Sequence, residues 1–423
     1  MISRWLERVR ALLPLGGARS PIARKTGPRP RAPRMMWDRV TIACVALLLL
    51  IGLVMVTSAS IYVAAGHNGD PFSYLKKQLL SAGIGLGLAI LAFRLPTETW
   101  ERFGKVMLVV AFVGLVMVLL PGLGHVVNGS RRWIRVGFVN FQWSEAARLL
   151  IVLWLAGHLV RREETFRAGW PGFLWPLGAV VAAAALMLME PDMGAAVVLV
   201  AIAVGLMFLA GARLLHVGTI VVAGAAAIVL LIQLAPYRMK RLIGFQDPFE
   251  HAHDIGYQLV QSLIAIGRGE WFGVGLGESV QKMYYLPEAH TDFVFAVLAE
   301  EFGFVGIVVV VALFMTLSIR TLLLARRAMA QGRKFHAYVA GAFGLWIGMQ
   351  SLVNMGVTMG ILPTKGLTLP LLSYGRSSLM VTLLWVGIVL RIHHEVCGVQ
   401  RTVGRGPLGV APTTATGTAG GAA

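Results

Sequence analysis

Long apolar runs separated by short polar breaks make up most of this chain, and inside the runs apolar residues are continuous rather than alternating. That pattern is helical and not that of barrel strands. Ten runs stand out, at about 40–61, 77–94, 105–121, 145–160, 173–189, 194–211, 214–234, 293–325, 337–361 and 377–393. A bilayer core takes roughly 20 apolar residues per helix, so the pattern predicts an all-α polytopic membrane protein with about ten transmembrane helices. The longest polar interval, about 235–292, falls between helices seven and eight. Loops between helices are normally a handful of residues, so length alone marks this interval as functional. The chain thus divides into a basic tail (1–39), a ten-helix membrane domain (40–393) and a Thr-, Ala- and Gly-rich tail (394–423) of the kind expected to be disordered.

Composition agrees: 57% of residues are apolar and 14% charged, far from the soluble balance. The charge of +18 carries the orientation. An even helix number puts both termini on one side, and about 25 of the 38 Lys and Arg fall there, against about 13 on the other. The positive-inside rule then predicts that both tails are cytoplasmic. The interval 235–292 becomes an extracytoplasmic loop, on the same face as 64–77, 121–144, 362–378 and the turn Glu190-Pro191-Asp192. The basic segment Arg4 to Arg39 reads as a solvated arm drawn to anionic membrane lipids, with no nucleic acid expected as partner. The first run is too long for a cleaved signal and reads as an uncleaved anchor. Cys44 and Cys397 suit neither a disulfide nor a metal cluster.

Pro287-Glu288-Ala289-His290-Thr291-Asp292-Phe293 closes the long interval, and the chain is then apolar to about Leu324, broken only by Glu300-Glu301. Ionisable groups beside a bilayer are costly to desolvate and therefore candidates for function, which singles out Asp292. An aspartate opening a helix is also what the helix dipole favours, so the residue alone leaves both readings open. Within the interval Tyr257, Leu259, Ile264, Trp271, Phe272, Leu276, Met283 and Tyr284 alternate with polar residues, predicting a segment at the bilayer interface or in a groove between helices. The Gly-rich stretch Gly267 to Gly277 resembles a phosphate-cradling loop only in composition, since no strand precedes it; its glycines are expected to allow close turns against the membrane. His251 and His253 read as loop residues rather than metal ligands, and no Ser/His/Asp triad or zinc spacing is present.

Longer motifs point further. Tyr257-Gln258-Leu259 through Ala265, Gly267 through Gly273, Leu286 through Glu301, Asn128-Gly129 with Arg131-Arg132-Trp133-Ile134, Pro191-Asp192 with Gly194, and Leu362 to Ser378 together resemble the SEDS family (shape, elongation, division and sporulation). The resemblance runs from about Trp37 to Arg391. Leu362-Pro363-Thr364-Lys365-Gly366-Leu367-Thr368-Leu369-Pro370 and the long basic tail look like its division branch; the elongation branch tends to lack the lysine.

The resemblance implies a glycosyltransferase that polymerises lipid II into septal peptidoglycan during cell division. Asp292 matches the family's essential aspartate and would be the general base, its pKa raised by desolvation near the lipid. Lys365 would bind pyrophosphate or sugar, although a lysine snorkelling between two spans is the plain alternative. Arg132 and Arg241 are further phosphate-binding candidates, and Ser373 and Tyr374 join them as substrate-binding residues. Glu288 and His290 would orient Asp292 or share a divalent cation with it. Glu145, opening the fourth helix, needs a cationic partner, with Arg132 or Arg148 available. Implied partners are a class B penicillin-binding transpeptidase and other division membrane proteins, in the bacterial inner membrane at the septum. A lipid II flippase, a scaffold for that transpeptidase and an elongation-branch polymerase are the alternatives. Charges gathered at the outer helix ends, rather than along mid-membrane faces, favour chemistry over flipping.

Three positions leave the family pattern. Trp143 stands where a proline is usual, Arg148 where a lysine is usual, and Arg376 where Ser-Tyr-Gly-Gly-Ser-Ser has its second glycine. Arginine cannot adopt a positive φ cheaply, so the expectation at Arg376 is a strained turn; an added phosphate contact is the alternative.

Overall fold

Every one of the ten apolar runs is helical. The computed structural model describes residues 37–403 other than 128, 129, 138, 235, 364 and 365. The basic tail before Trp37, Asn128-Gly129, Lys365 and the end of the C-terminal tail therefore lie outside the described residues, as does the side chain of Arg241. The ten runs correspond to α1 (Arg39–Asn68), α2 (Ser73–Arg94), α4 (Gly104–Leu119), α5 (Trp143–Arg161), α7 (Trp170–Met189), α8 (Met193–Leu209), α9 (Leu214–Gln233), α12 (Val294–Ala330), α13 (Lys334–Thr358) and α14 (Arg376–Val403). Short helices α3 (Thr97–Arg102) and α6 (Glu163–Ala168) turn the chain between them. Among the described residues seven helices are long and apolar enough to cross a membrane: Arg39–Gly66, Ser73–Arg94, Trp143–Arg161, Trp170–Met189, Leu214–Gln233, Val294–Ala330 and Arg376–Gly398. α4 and α8 are apolar but shorter. The 25 residues of α13 include buried Gln350, Ser351 and Asn354.

Local chemistry sets the helix ends. Asp38 caps α1, accepting from the Thr41 N–H at 3.2 Å and the Thr41 hydroxyl at 2.7 Å, and Gly69 ends it at φ 66°. Asp192 caps α8 through the Ala195 N–H at 3.2 Å. Packing relies on small residues, as expected where apolar burial cannot distinguish protein from lipid. α2 and α14 approach through Gly85, beside Leu383 and Met380, and Gly387, beside the Ala89 backbone. Gly114 of α4 receives the Trp143 indole, whose Nε1 donates to the Ala111 carbonyl at 3.2 Å. The tryptophan found in place of the family's proline is thus part of the α4–α5 contact. α5 is largely enclosed, whereas in α9 only His216 is buried, as in a helix facing lipid.

The helical expectation needs two additions. The segment 121–144 holds an antiparallel sheet in the order β1 (Gly124–Val127), β2 (Ser130–Val136), β3 (Val139–Gln142), with Trp133 opposite Gln142 and Ile134 opposite Phe141. Trp133, Ile134 and Phe141 suit a pleated, half-buried surface better than a short helix. The long interval carries helices of its own, α10 (Pro236–Gln246) and α11 (Tyr257–Arg268).

The Gly-rich stretch makes its close turns against a helix. α12 breaks at Gly303 (φ 64°, ψ −159°), and the interval stitches the break. Val274 and Gly275 donate to the carbonyls of Glu300 and Glu301 at 2.9 and 3.1 Å; Phe304 and Val305 donate to those of Glu270 and Trp271 at 2.9 and 3.2 Å. A Cβ at Gly269 or Gly273 would strike the Ala299 or Glu301 carbonyl, and one at Gly303 the Gly273 nitrogen. Here the missing side chains allow backbone-to-backbone contact.

Candidate functional site

Asp292 lies in the turn before α12, half-buried, and is not the helix cap: that position is Phe293, with no side-chain cap hydrogen bond. The turn is fixed from below by α13. Asn354, 2% exposed, donates its Nδ2 to the Asp292 carbonyl at 3.0 Å and to the Leu367 carbonyl at 2.6 Å. One amide therefore ties the Asp292 turn to the segment that follows Lys365. A turn earlier on α13, Gln350 donates to the Thr368 carbonyl at 2.9 Å. At Gly366 a Cβ would stand 3.2 Å from the Asp292 Oδ2, so the carboxylate lies against this glycine.

The segment after Gly366 folds on itself. Ser373 is buried and its hydroxyl accepts from the Leu369 N–H at 2.8 Å, while its carbonyl accepts from Gln78 at 3.2 Å. Ser373 therefore holds the turn together. Tyr374 donates its N–H to the His290 carbonyl at 2.9 Å, and the rings of Tyr74, His290 and Tyr374 stand 4.7 to 5.6 Å apart. Burial holds the His290 imidazole below its usual pKa, Glu288 opposing, and pushes the Tyr374 phenol up to about 12. Glu288 is exposed, at φ 57°, and accepts from the Thr291 hydroxyl at 2.6 Å.

Arg132 is already occupied. Its Nε donates to the Glu190 carbonyl at 3.0 Å and its Nη2 to that of Pro191, joining β2 to the turn before α8. Asp192 accepts from Gln142 Nε2 at 2.9 Å and Ser144 Oγ at 3.0 Å, and the Gln142 N–H donates to Ser377 Oγ at 2.8 Å. Gly194 packs against Leu367, with the Gly366 carbonyl 3.5 Å from its Cβ position. The sheet, the Glu190 turn and the start of α14 thus converge on the Gly366 segment. Glu190 is 0% exposed with neither carboxylate oxygen partnered among the described residues; burial first, then Asp192, pushes its carboxyl up to about 8. Glu145 pairs with Arg148, not Arg132, and Arg148 also reaches Gln350 at 3.1 Å and stacks 4.8 Å above the Trp346 ring. The planar guanidinium serves three partners at once.

The strained-turn expectation at Arg376 is overturned. Arg376 is the first residue of α14 and does not have a positive φ; the left-handed residue of this segment is Leu371, at φ 66°. Among the described residues no three His, Cys, Asp or Glu side chains are grouped to hold a metal ion, so Glu288, His290 and Asp292 do not form such a cage. Asn354, Gln350, Gln142 and Glu190 were missed as site residues. Polar residues four apart in an apolar run, as at 350 and 354, are the signal that points to them.

A bundle of apolar helices carrying a polar, ionisable site at one end of α12 defines a multi-pass helical membrane protein. Its lineage is specific: the FTSW/RODA/SPOVE family of cell cycle proteins matches residues 38–397, and the chain belongs to that family. It is 51% identical over 375 residues to a probable peptidoglycan glycosyltransferase FtsW of Thioalkalivibrio sulfidiphilus, covering 89% of this chain and 92% of that one. A protein of the same description in Pseudomonas fluorescens is 51% identical over 353 residues, covering 83% and 86%. Among solved structures the chain is similar to a chain of a peptidoglycan synthase complex that coordinates polymerization and crosslinking (TM-score 0.70, 29% identity, covering 86% and 99%). The rod shape determining protein RodA of Thermus thermophilus is similar too (TM-score 0.64, 29% identity, covering 86% and 99%).

Proposed function

We propose that the protein is a peptidoglycan glycosyltransferase that polymerises lipid II, with Asp292 as general base and polyprenyl pyrophosphate as leaving group. The observation that carries this is the Asp292 carboxylate lying against Gly366, both backbones held by Asn354. An acceptor sugar hydroxyl attacks the donor's anomeric carbon; Asp292 takes its proton as the bond to pyrophosphate breaks, and cations offset the charge left on the pyrophosphate. A divalent cation here would draw most of its ligands from substrate phosphate and water, a common arrangement for Mg²⁺. Against a flippase, the buried Glu145–Arg148 pair is closed off by Gln350 and Trp346 rather than lining a path. Similarity to a synthase that couples polymerization to crosslinking supports a class B penicillin-binding transpeptidase as partner, with other division proteins, at the septum.

Asp292→Asn tests the base, since the amide has nearly the same shape but cannot take the proton. With purified lipid II the variant should lose polymerisation and keep expression and melting; activity within tenfold of wild type removes Asp292 from that role. The site should be extracytoplasmic and both tails cytoplasmic. Single cysteines at 292 and in the N-terminal tail, treated with an impermeant maleimide, should label only at 292, and the reverse pattern overturns the topology.

A further inference from the structure

The first turn of α14 carries two unmet side-chain groups that call for an anion. Arg376 opens this 28-residue helix; its side chain makes no ion pair or hydrogen bond among the described residues, and its Nε is buried without a partner. Ser378 is 7% exposed and its hydroxyl also lacks a partner. The first N–H groups of any helix have no acceptor within it and carry the positive end of its dipole. A cation placed there is repelled by that dipole unless an anion joins the two. Ser377 is already used, accepting from the Gln142 N–H, which fixes the turn's orientation.

Location connects the turn to the site. The Cβ position of Gly375 is 3.5 Å from the Thr368 side chain, and the Tyr374 N–H bonds the carbonyl of His290, two residues before Asp292. A planar guanidinium, a free hydroxyl and helix N–H groups match the oxygens of phosphate.

We propose that the first turn of α14 binds a diphosphate and that Arg376 gives it a bidentate contact absent where the family has glycine. Identifying that diphosphate as the donor's pyrophosphate rests on the function proposed above; the anion chemistry does not.

Binding of lipid II and of inorganic pyrophosphate is measured on full-length protein in nanodiscs. Arg376→Gly, Arg376→Lys and Ser378→Ala are each compared with their parent in the Asp292→Asn background, so that nothing turns over. Arg376→Gly should weaken both ligands by about tenfold with melting unchanged. Arg376→Lys should recover part of the loss, keeping the charge without the fork, and Ser378→Ala should cost about two- to threefold. Equal affinities across the set overturn the proposal. Pyrophosphate binding that depends on Arg376, in a protein whose Asp292→Asn form still polymerises, keeps the anion turn and removes the base. Dependence on Arg376 for phosphatidylglycerol but not for lipid II overturns the donor assignment.

Discussion

Two acidic sites flank the start of α12 and are built in opposite ways. Glu300 and Glu301 are buried and tied down: Glu300 accepts from Ser279 at 2.5 Å and from the N–H groups of Val280 and Gln281, and forms an ion pair with Arg268 at 3.3 Å. Glu301 accepts from Ser58 at 2.5 Å and from Lys282 at 2.8 Å; Lys282, 2% exposed, spends its remaining bonds on Ser58 and the Gly277 carbonyl. At Asp292 it is the backbone that is clamped, through Asn354, while the half-buried carboxylate faces a glycine. Carboxylates bonded this closely to their own fold hold segments in place. The Asp292 carboxylate is instead positioned by its clamped backbone against the Gly366 segment of the site.

The contrast predicts a separation of stability from activity. Lys282→Met leaves Glu301 buried without its cation, a change that typically costs about 3–5 kcal/mol. Its melting temperature should fall by several degrees or more, with the interval 268–282 becoming sensitive to protease, whereas Asp292→Asn should melt like wild type. Equal melting of Lys282→Met and wild type would break the distinction between the two sites.

A smaller effect sharpens it at Glu190, a buried carboxyl with neither kind of partner. Its folded-state pKa of about 8 lies above the ordinary 4.5, so the folded protein keeps a proton that the unfolded chain releases. That contribution is complete below about pH 4.5 and is lost as pH rises through about 8, at a slope of at most about 1.4 kcal/mol per pH unit. Glu190→Gln removes it. Between pH 6 and 9 wild type should therefore lose melting temperature relative to the variant, and parallel profiles would mean that Glu190 is not held neutral.

Much of this was legible beforehand. The ten runs, the long interval and the end of that interval at Asp292 follow from apolar periodicity and from the cost of charge near lipid. One expectation fails and another is incomplete, for the same reason. The close turns of Gly267–Gly277 contact the α12 backbone, a neighbour that their composition does not name; Arg376, expected to strain a turn, starts a helix. Glycine reports that something comes close, not what, and a position held by glycine in a family need not have a glycine-only conformation. Arg132 shows the converse, a basic residue suited to phosphate that also braces the Glu190 and Pro191 carbonyls with two of its donors.

By itself the sequence determined the membrane class, the order of its helices and the family, because burial in lipid imposes long apolar runs that need no knowledge of neighbours. Only the tertiary structure decided which polar groups meet. The Asn354 clamp joins residues 62 and 13 positions apart, and the Ser58–Glu301 contact joins residues 243 apart. Such pairings depend on helix packing angles and small-residue contacts, which no local pattern encodes, and they decide that Glu300 and Glu301 brace the long interval while Asp292 is set against Gly366.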